Sequence, residues 1–422
     1  MSRMRPRWGV GDRHQGRLPA VNRAGTRMGE REFILFMALV SAMAALAIDM
    51  PLPAFEQMRA AFGLAPDATD LALTMTLFFM GMAVGTLFYG PISDTVGRKR
   101  VLLASMVLYG GAALVAALAP SLPVLYASRF AWGLAAAGPR TLSQAIVRDR
   151  FAGTAMARVM TLIQAAFFIG PIIAPVLGKA LVEIGSWRWV MAFGIFSALA
   201  VTLWSLRLGE TLAHEHRREL QLGAVAVGFR TVVRNRIALG YTLANTFAFA
   251  AFYSFLASTE LIFSAVYGQP EWFVPYFTAM SVAAALTALG NNRLLRSIDA
   301  RRVALIAGTT YSAVSTALLG VTIAGSGVPP LLLWLVLFSL ANCCHTAFFP
   351  TSISLALEPM GKLAGTAASV MVFSTSMLGS LLASFTDRAI DDTVMPISIA
   401  YLGYSLISLS FQLWARGGAS SP

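Results

Sequence analysis

Gly90-Pro-Ile-Ser-Asp94-Thr-Val-Gly97-Arg98-Lys99-Arg100 separates two apolar stretches, 71–89 and 101–119, each of membrane-crossing length. A carboxylate, two glycines and three cations packed into eleven residues between such runs belong at a membrane surface. The three cations predict that this surface is cytoplasmic. Orientation, fold class and a mechanical role all start from this turn.

The composition of the whole chain agrees. Of 422 residues, 57% are hydrophobic and 12% charged, and the mean hydropathy is +0.68. A soluble domain carries about 25% charged residues, so this chain cannot cover itself with an ordinary wet surface. The net charge of +12 does not indicate a nucleic-acid partner, because the cations cluster in short loops and form no continuous basic face. Cys343 and Cys344 are adjacent in an apolar run. Neighbours on one helix point apart and there is no second pair, so neither a disulfide nor a zinc site is expected, and they read as small packing residues. No cofactor or metal is expected.

About twelve spans are predicted, near 33–53, 71–91, 101–119, 122–146, 158–181 and 187–207, then 237–264, 272–295, 301–324, 328–353, 363–386 and 394–414. Each is long enough for a hydrocarbon core of about 30 Å at about 1.5 Å per residue. With the N-terminus in the cytoplasm, 26 of the 32 Lys and Arg fall on the cytoplasmic side. Four (Arg59, Lys179, Arg188 and Arg388) fall outside, and two (Arg129 and Arg140) lie within a span. A shift of the frame by one span inverts this asymmetry. Residues 1–32, with eight arginines and no cleavable signal sequence, read as a disordered cytoplasmic tail, with Met1 or Met28 as the start. Both termini are then cytoplasmic, the second tail being 415–422.

The longest internal polar connection, 208–236, divides the spans into a bundle at 33–207 and a second at 237–414. Ala152-Gly-Thr-Ala155 follows the fourth span and Ala364-Gly-Thr-Ala367 the tenth, an offset of 212 residues. The expected fold is therefore an all-α polytopic membrane protein of twelve transmembrane helices in two pseudo-symmetric six-helix bundles.

Within the turn, Gly90 and Gly97 allow close approach and unusual backbone angles at helix ends. A cation or a helix end can hold Asp94, and Arg98 can pair with a carboxylate. Such a cluster can latch one side of a bundle, or simply anchor two helices at the headgroups. Gly90, Asp94, Gly97, Arg98, Lys99 and Arg100 fit every fixed place of the loop that joins the second and third spans in the major facilitator superfamily, and the chain resembles that superfamily over nearly its whole length. The resemblance implies a secondary transporter whose halves rock about a central site, with this motif as part of a cytoplasmic gate.

Further stretches look like the bicyclomycin-resistance branch of drug:proton antiporters. Ala47-Ile-Asp49-Met-Pro-Leu-Pro53-Ala resembles the end of its first span, and Ala145-Ile-Val-Arg148-Asp149-Arg-Phe the stretch after its fourth. Arg129-Phe-Ala-Trp-Gly133 partly matches the fourth-span pattern, with Trp132 in place of the usual Gln. Gly170, Pro171, Pro175 and Gly178 resemble the antiporter motif of the fifth span, with Lys179 replacing a second Gly. Pro removes helix hydrogen bonds and Gly permits close packing, so these four suit a tight, bendable seam. The resemblance implies a bacterial inner-membrane protein that exchanges protons for small amphipathic molecules, without nucleotide, and it is expected to work as a monomer.

Charges inside spans are the candidate working parts. Asp49 lies in an apolar run and is read as the proton-binding residue, although it stands only about four residues from the end of its span and suits an interface acid too. Arg129 lies at a similar depth in the fourth span and is expected to meet Asp49 directly or across a cavity; snorkelling to the headgroups is the plainer reading. Arg140, deeper in the same span, Tyr253 among the aromatics of the seventh span, Glu260 and His345 are candidates for lining the substrate cavity. For Glu260 an interface position, and for His345 a hydrogen-bonded packing role, are the plainer readings.

No enzyme signal is present: no Walker Gly-Lys-Ser/Thr loop, no carboxylate pair and no His cluster. The reading is a proton-coupled efflux antiporter. Its rivals are a proton-coupled uptake permease and a membrane sensor or scaffold that transports nothing, since the fold alone permits all three.

Overall fold

The computed structural model describes residues 28–417 apart from 214, 216 and 218–222. Residues 1–27 of the basic leader and 418–422 of the second tail lie outside the described residues. The first half holds α1 (Glu30–Asp49), the short α2 (Phe55–Ala61), α3 (Ala72–Val96), α4 (Arg98–Ala117), α5 (Leu122–Arg150), α6 (Gly153–Ile184) and α7 (Trp187–Ser205). A connecting helix, α8 (Gly223–Arg234), leads to α9 (Arg236–Leu261), α10 (Phe273–Leu294), α11 (Ala300–Ala324), α12 (Leu331–Leu357), α13 (Ala364–Arg388) and α14 (Met395–Arg416). The helix starts carry local signals: Ser186, Asn235 and Asp299 each accept a hydrogen bond from the backbone of their own first turn.

Twelve of these described helices have 19 residues or more, as the sequence predicts. Boundaries differ modestly: α1 begins at Glu30 rather than 33, and α6 runs 153–184 rather than 158–181. Eleven of the twelve are apolar enough by composition to cross a membrane, and α5 is the exception. It carries Arg129, Arg140, Arg148, Asp149 and Arg150, and it is shielded by packing against α3, α4 and α1. Glycines bring α3 and α5 together. A Cβ on Gly81 would run into the Phe130 carbonyl, and one on Gly133 into the Phe78 carbonyl.

We call the helix ends that carry the 90–100 turn the basic face and the opposite ends the far face. The two halves meet most closely where α3 runs along α13 and α6 along α10. On the far face, Thr69, Asp70, Leu73, Thr76 and Tyr126 border a pocket of about 220 Å³ together with Ser384, Asp387 and Arg388. On the basic face α8 rests on α13, with Gly228 against Thr366.

Candidate functional site

The helix α1 ends at Asp49 because the chain continues Met50-Pro51-Leu52-Pro53. Pro51 has no N–H, so the carbonyl of Ala47, four residues earlier, loses its helical donor. Arg129 of α5 supplies one: its Nη1 donates to the Ala47 oxygen at 3.0 Å. Its guanidinium lies 4.4 Å from the Phe78 ring centroid and 5.3 Å from that of Trp132. Each such contact contributes about 0.5–2 kcal/mol. Arg129 is 1% exposed. Trp132, standing where the resembled branch has an amide, packs edge-on against Tyr109.

Asp49 and Arg129 thus share a depth; of the two arrangements expected, the direct one is absent, since no ion pair or hydrogen bond joins them. Asp49 is 3% exposed and, among the described residues, its carboxyl has neither a cation nor a hydrogen-bond donor. The guanidinium instead bonds the carbonyl that the proline left free and lies against the rings, with its Nε unpaired.

The glycines of α6 press on this same end of α1. A Cβ on Gly170 would collide with the Ala45 methyl, and one on Gly178 with the Met50 carbonyl. Pro171 and Pro175 lie between them inside a continuous helix. Asp49 therefore sits on a helix end gripped by α6 through two contacts that tolerate no side chain. Lys179 faces outward and meets Glu183 at 3.9 Å. Gly178→Val is expected to push α6 off the Met50 backbone at a cost of about 1–3 kcal/mol. The check is a lowered Tm of the purified protein, with Lys179→Ala, a change to another good helix former on the outward face, as the neighbouring control.

At the basic face, α3 continues to Val96, so Gly97 alone makes the turn, at φ 112° and ψ 148°. Gly90 is corrected: it lies inside the helix with open space where a Cβ would go. Arg98 is 4% exposed. Its Nη1 meets Asp94 at 2.6 Å and Ser93 Oγ at 2.6 Å, and its Nε meets Asp149 at 2.9 Å. Glu210, from the segment after α7, accepts the Arg98 backbone N–H at 2.8 Å and that of Lys99 at 3.3 Å. It caps the start of α4, where N–H groups have no helical partner. The Lys99 ammonium donates to the Leu206 carbonyl at 3.3 Å, and Arg100 is exposed. The cluster ties together the ends of α3, α4 and α5 and the segment after α7, all within the first half.

Between the two faces lies an aromatic nest. Tyr253 stacks on Phe79 of the other half at 4.0 Å and donates to Ser376 Oγ at 3.2 Å. Phe249 lies 5.2 Å from Tyr253, 4.8 Å from His345 and 4.5 Å from Phe349. His345 stacks on Phe252 at 5.1 Å, and its Nε2 is buried without a hydrogen bond, contrary to the hydrogen-bonded packing role expected of it. Arg140 enters from the first half. Its guanidinium lies 4.7 Å over the Phe167 ring.

Glu260 stands apart from this nest. It lies nearer the far face, where both its oxygens accept from Arg59 Nη2, at 2.7 and 2.9 Å. This buried pair joins the two halves. Arg59, Asp149 and Glu210 were not singled out as site residues from the sequence, nor was Asp387. That acid is 2% exposed and accepts from Ser258 at 2.8 Å, with its Oδ2 unpaired. Only Asp149 had a signal, since it lies in the motif after the fourth span. The other contacts join residues more than a hundred positions apart.

Comparison with known proteins supplies a context. The Major Facilitator Superfamily pattern matches residues 37–384. A bicyclomycin resistance protein homolog of Haemophilus influenzae is 27% identical over 367 residues, covering 86% of this chain and 91% of that one. Multidrug resistance protein D of Escherichia coli is 26% identical, covering 60% of this chain and 63% of its own. Among solved structures, a D-xylose-proton symporter superposes with a TM-score of 0.70 at 15% identity, covering 91% of this chain and 97% of that one.

Proposed function

We propose that this chain, which belongs to the major facilitator superfamily, is a proton-coupled exporter of small amphipathic molecules in a bacterial inner membrane. The superfamily consists of membrane transporters rather than enzymes, and the distant relatives include proteins named for drug resistance. Direction and coupling are our own reading. The observation that carries it is Asp49: a buried acid, without a counter-ion, on a helix end clamped by the glycines of α6.

In this reading the basic face is cytoplasmic, in keeping with the distribution of Lys and Arg. A carboxyl with no fixed cation can take up and release a proton as its access changes between the two sides of the membrane. Arg129 holds the Ala47 carbonyl and so fixes the end of the helix that carries Asp49. When the halves rock, α6 and α1 move as one unit and carry the acid with them. The Arg98 cluster keeps the first half rigid at its cytoplasmic end during that motion. The nest around Tyr253, built by both halves, is the place for cargo, since transporters of this architecture bind near the midplane between their repeats.

Everted membrane vesicles test the direction. With the lumen preset acid, export substrates added outside should enter in exchange for protons and collapse the pH difference within seconds. Vesicles lacking the protein should not respond. Further acidification of the lumen on adding substrate marks proton-coupled uptake, and no response across a broad panel of compounds overturns transport by proton exchange.

A further inference from the structure

On the basic face the two halves join their third and fourth spans in the same way. In the first half Arg98, at the start of α4, meets Asp149, near the end of α5, at 2.9 Å. In the second half Arg301, at the start of α11, meets Glu358, just past the end of α12, at 3.3 Å. The two clusters differ in their third member. Beside Arg98 the segment after α7 supplies an acid, Glu210, which accepts from two backbone N–H groups of α4. Beside Arg301 the end of α14 supplies a cation, Arg416, and α11 takes its cap from its own Asp299.

The second cluster encloses a cavity of about 200 Å³ between the basic-face ends of α9, α11, α12 and α14. Leu355 and Ala415, both buried, form its apolar floor, and Arg301, Arg416 and Glu358 line it with charge. Arg416 has no carboxylate partner among the described residues, and the Trp414 carbonyl beside it already accepts from Arg236 at 2.9 Å. Tyr241 lines the same cavity. It is 3% exposed, yet its hydroxyl has no hydrogen-bond partner among the described residues and is not sealed from open space. A buried hydroxyl without a partner is unfavourable, and the cavity is where a partner can reach it.

We infer that this cavity binds a phosphate-type oxyanion between the guanidinium groups of Arg416 and Arg301 and the O–H of Tyr241. Two guanidinium groups against one carboxylate leave one positive charge, and their planar forks match the oxygens of a phosphate. Glu358 is a weak competitor. Its side chain is 59% exposed and that of Arg301 40%, so water screens the pair. Basic pockets between spans on the cytoplasmic side of a membrane suit the headgroups of anionic lipids, and free phosphate offers the same chemistry. A bound oxyanion draws the ends of α9, α11 and α14 together, as Glu210 draws the segment after α7 onto α4. The site is separate from the cargo nest and does not rest on the direction of transport.

The test uses the purified full-length protein in a neutral detergent at constant ionic strength. Three probes are titrated: inorganic phosphate, dihexanoylphosphatidylglycerol and dihexanoylphosphatidylcholine. The apparent Kd is read from the rise in Tm with ligand concentration. The phosphatidylglycerol should raise the Tm of the wild type more than the phosphatidylcholine, whose own cation offsets its phosphate. Arg416→Gln should weaken the anion about ten-fold and Tyr241→Phe about three-fold, as expected for a charged and a neutral hydrogen bond. Glu358→Gln, at an exposed position, should tighten it about three-fold, because Arg301 is then free for the ligand. Arg230→Gln, on the exposed side of α8, should change nothing. A response to phosphate as strong as that to the anionic lipid assigns the site to a free oxyanion, and a response to the lipid alone assigns it to a headgroup. No shift with either anion, or equal shifts with the two lipids and none with phosphate, overturns the inference in the wild type alone. So does a response that Arg416→Gln, Tyr241→Phe and Arg230→Gln weaken alike, since that marks diffuse attraction to the whole basic face.

Discussion

Replacing Asp49 by Asn is expected to reduce the substrate gradient that the protein maintains from roughly forty-fold to one. The first figure follows from one charge per cycle. Moving it down 100 mV yields about 2.3 kcal/mol, and each tenfold ratio of concentrations needs about 1.4 kcal/mol. Asn has the shape of the carboxyl but binds no proton in this range, so the driving ion is removed and little else changes. The structure makes this a clean substitution. Asp49 has no ion pair to break and no hydrogen bond to lose among the described residues. Arg129, which a paired acid would have left stranded, keeps its bond to the Ala47 carbonyl. Two measurements in proteoliposomes separate coupling from collapse. Uphill movement driven by an imposed pH difference should vanish. Exchange of labelled for unlabelled substrate across a membrane without a gradient should continue, because alternation of the halves does not require this carboxyl. Uphill transport by Asp49→Asn at the wild-type rate removes Asp49 from the mechanism. Loss of both activities with folded protein present makes it part of the cargo site instead.

The fold was legible because membrane-spanning helices announce themselves one at a time. Length and apolarity mark each of them, and positive charge orients the set. The informative case is α5, which fails on apolarity yet is as long as its neighbours and packed among them. The sequence places it near 122–146 by its length, within a frame that the sidedness of Lys and Arg supports. The site was legible only in part, and for a physical reason. Counting residues from the end of a span says at what depth a residue lies, and that information sufficed to put Asp49 and Arg129 at one level. Which atom a guanidinium satisfies depends on what the neighbouring helix leaves unsatisfied. Here Pro51 freed the Ala47 carbonyl, a clue present in the sequence four residues away. Gly97 followed from the need for a turn, whereas Gly90 was misread because the turn is shorter than the motif and α3 continues through it. Glu210, which caps α4 from 112 residues away, left no local trace. A single acid in a polar connection looks like any other until the chain folds back.

The same long-range blindness hid the partner of Glu260, and that pair carries the second large effect. Arg59 and Glu260 are 201 residues apart, their side chains only 4% and 7% exposed, and they join the halves on the far face. Removing one partner of a buried pair costs about 3–5 kcal/mol, mostly because the other charge is left unpaired. That cost does not fall on the fold as a whole. Once the halves part on the far face, both side chains reach water and neither needs the other. Glu260→Gln should therefore penalise only the state seen here and favour the state open on the far face by about two to three orders of magnitude, at about 1.4 kcal/mol for each tenfold. A cysteine at Ser384, on the border of the far-face pocket, reports this on a background with Cys343 and Cys344 replaced by Ala. Its labelling by a membrane-impermeant thiol reagent should accelerate sharply in Glu260→Gln and in Arg59→Gln. The exchanged pair, Arg59→Glu with Glu260→Arg, should slow it again, because the charges meet once more across the same junction. Unchanged labelling in the single variants means that the pair holds nothing closed. If instead both single variants lose folded protein and the exchanged pair does not recover it, the contact belongs to the stability of the fold and the far face is sealed by the packing of α3 on α13 alone.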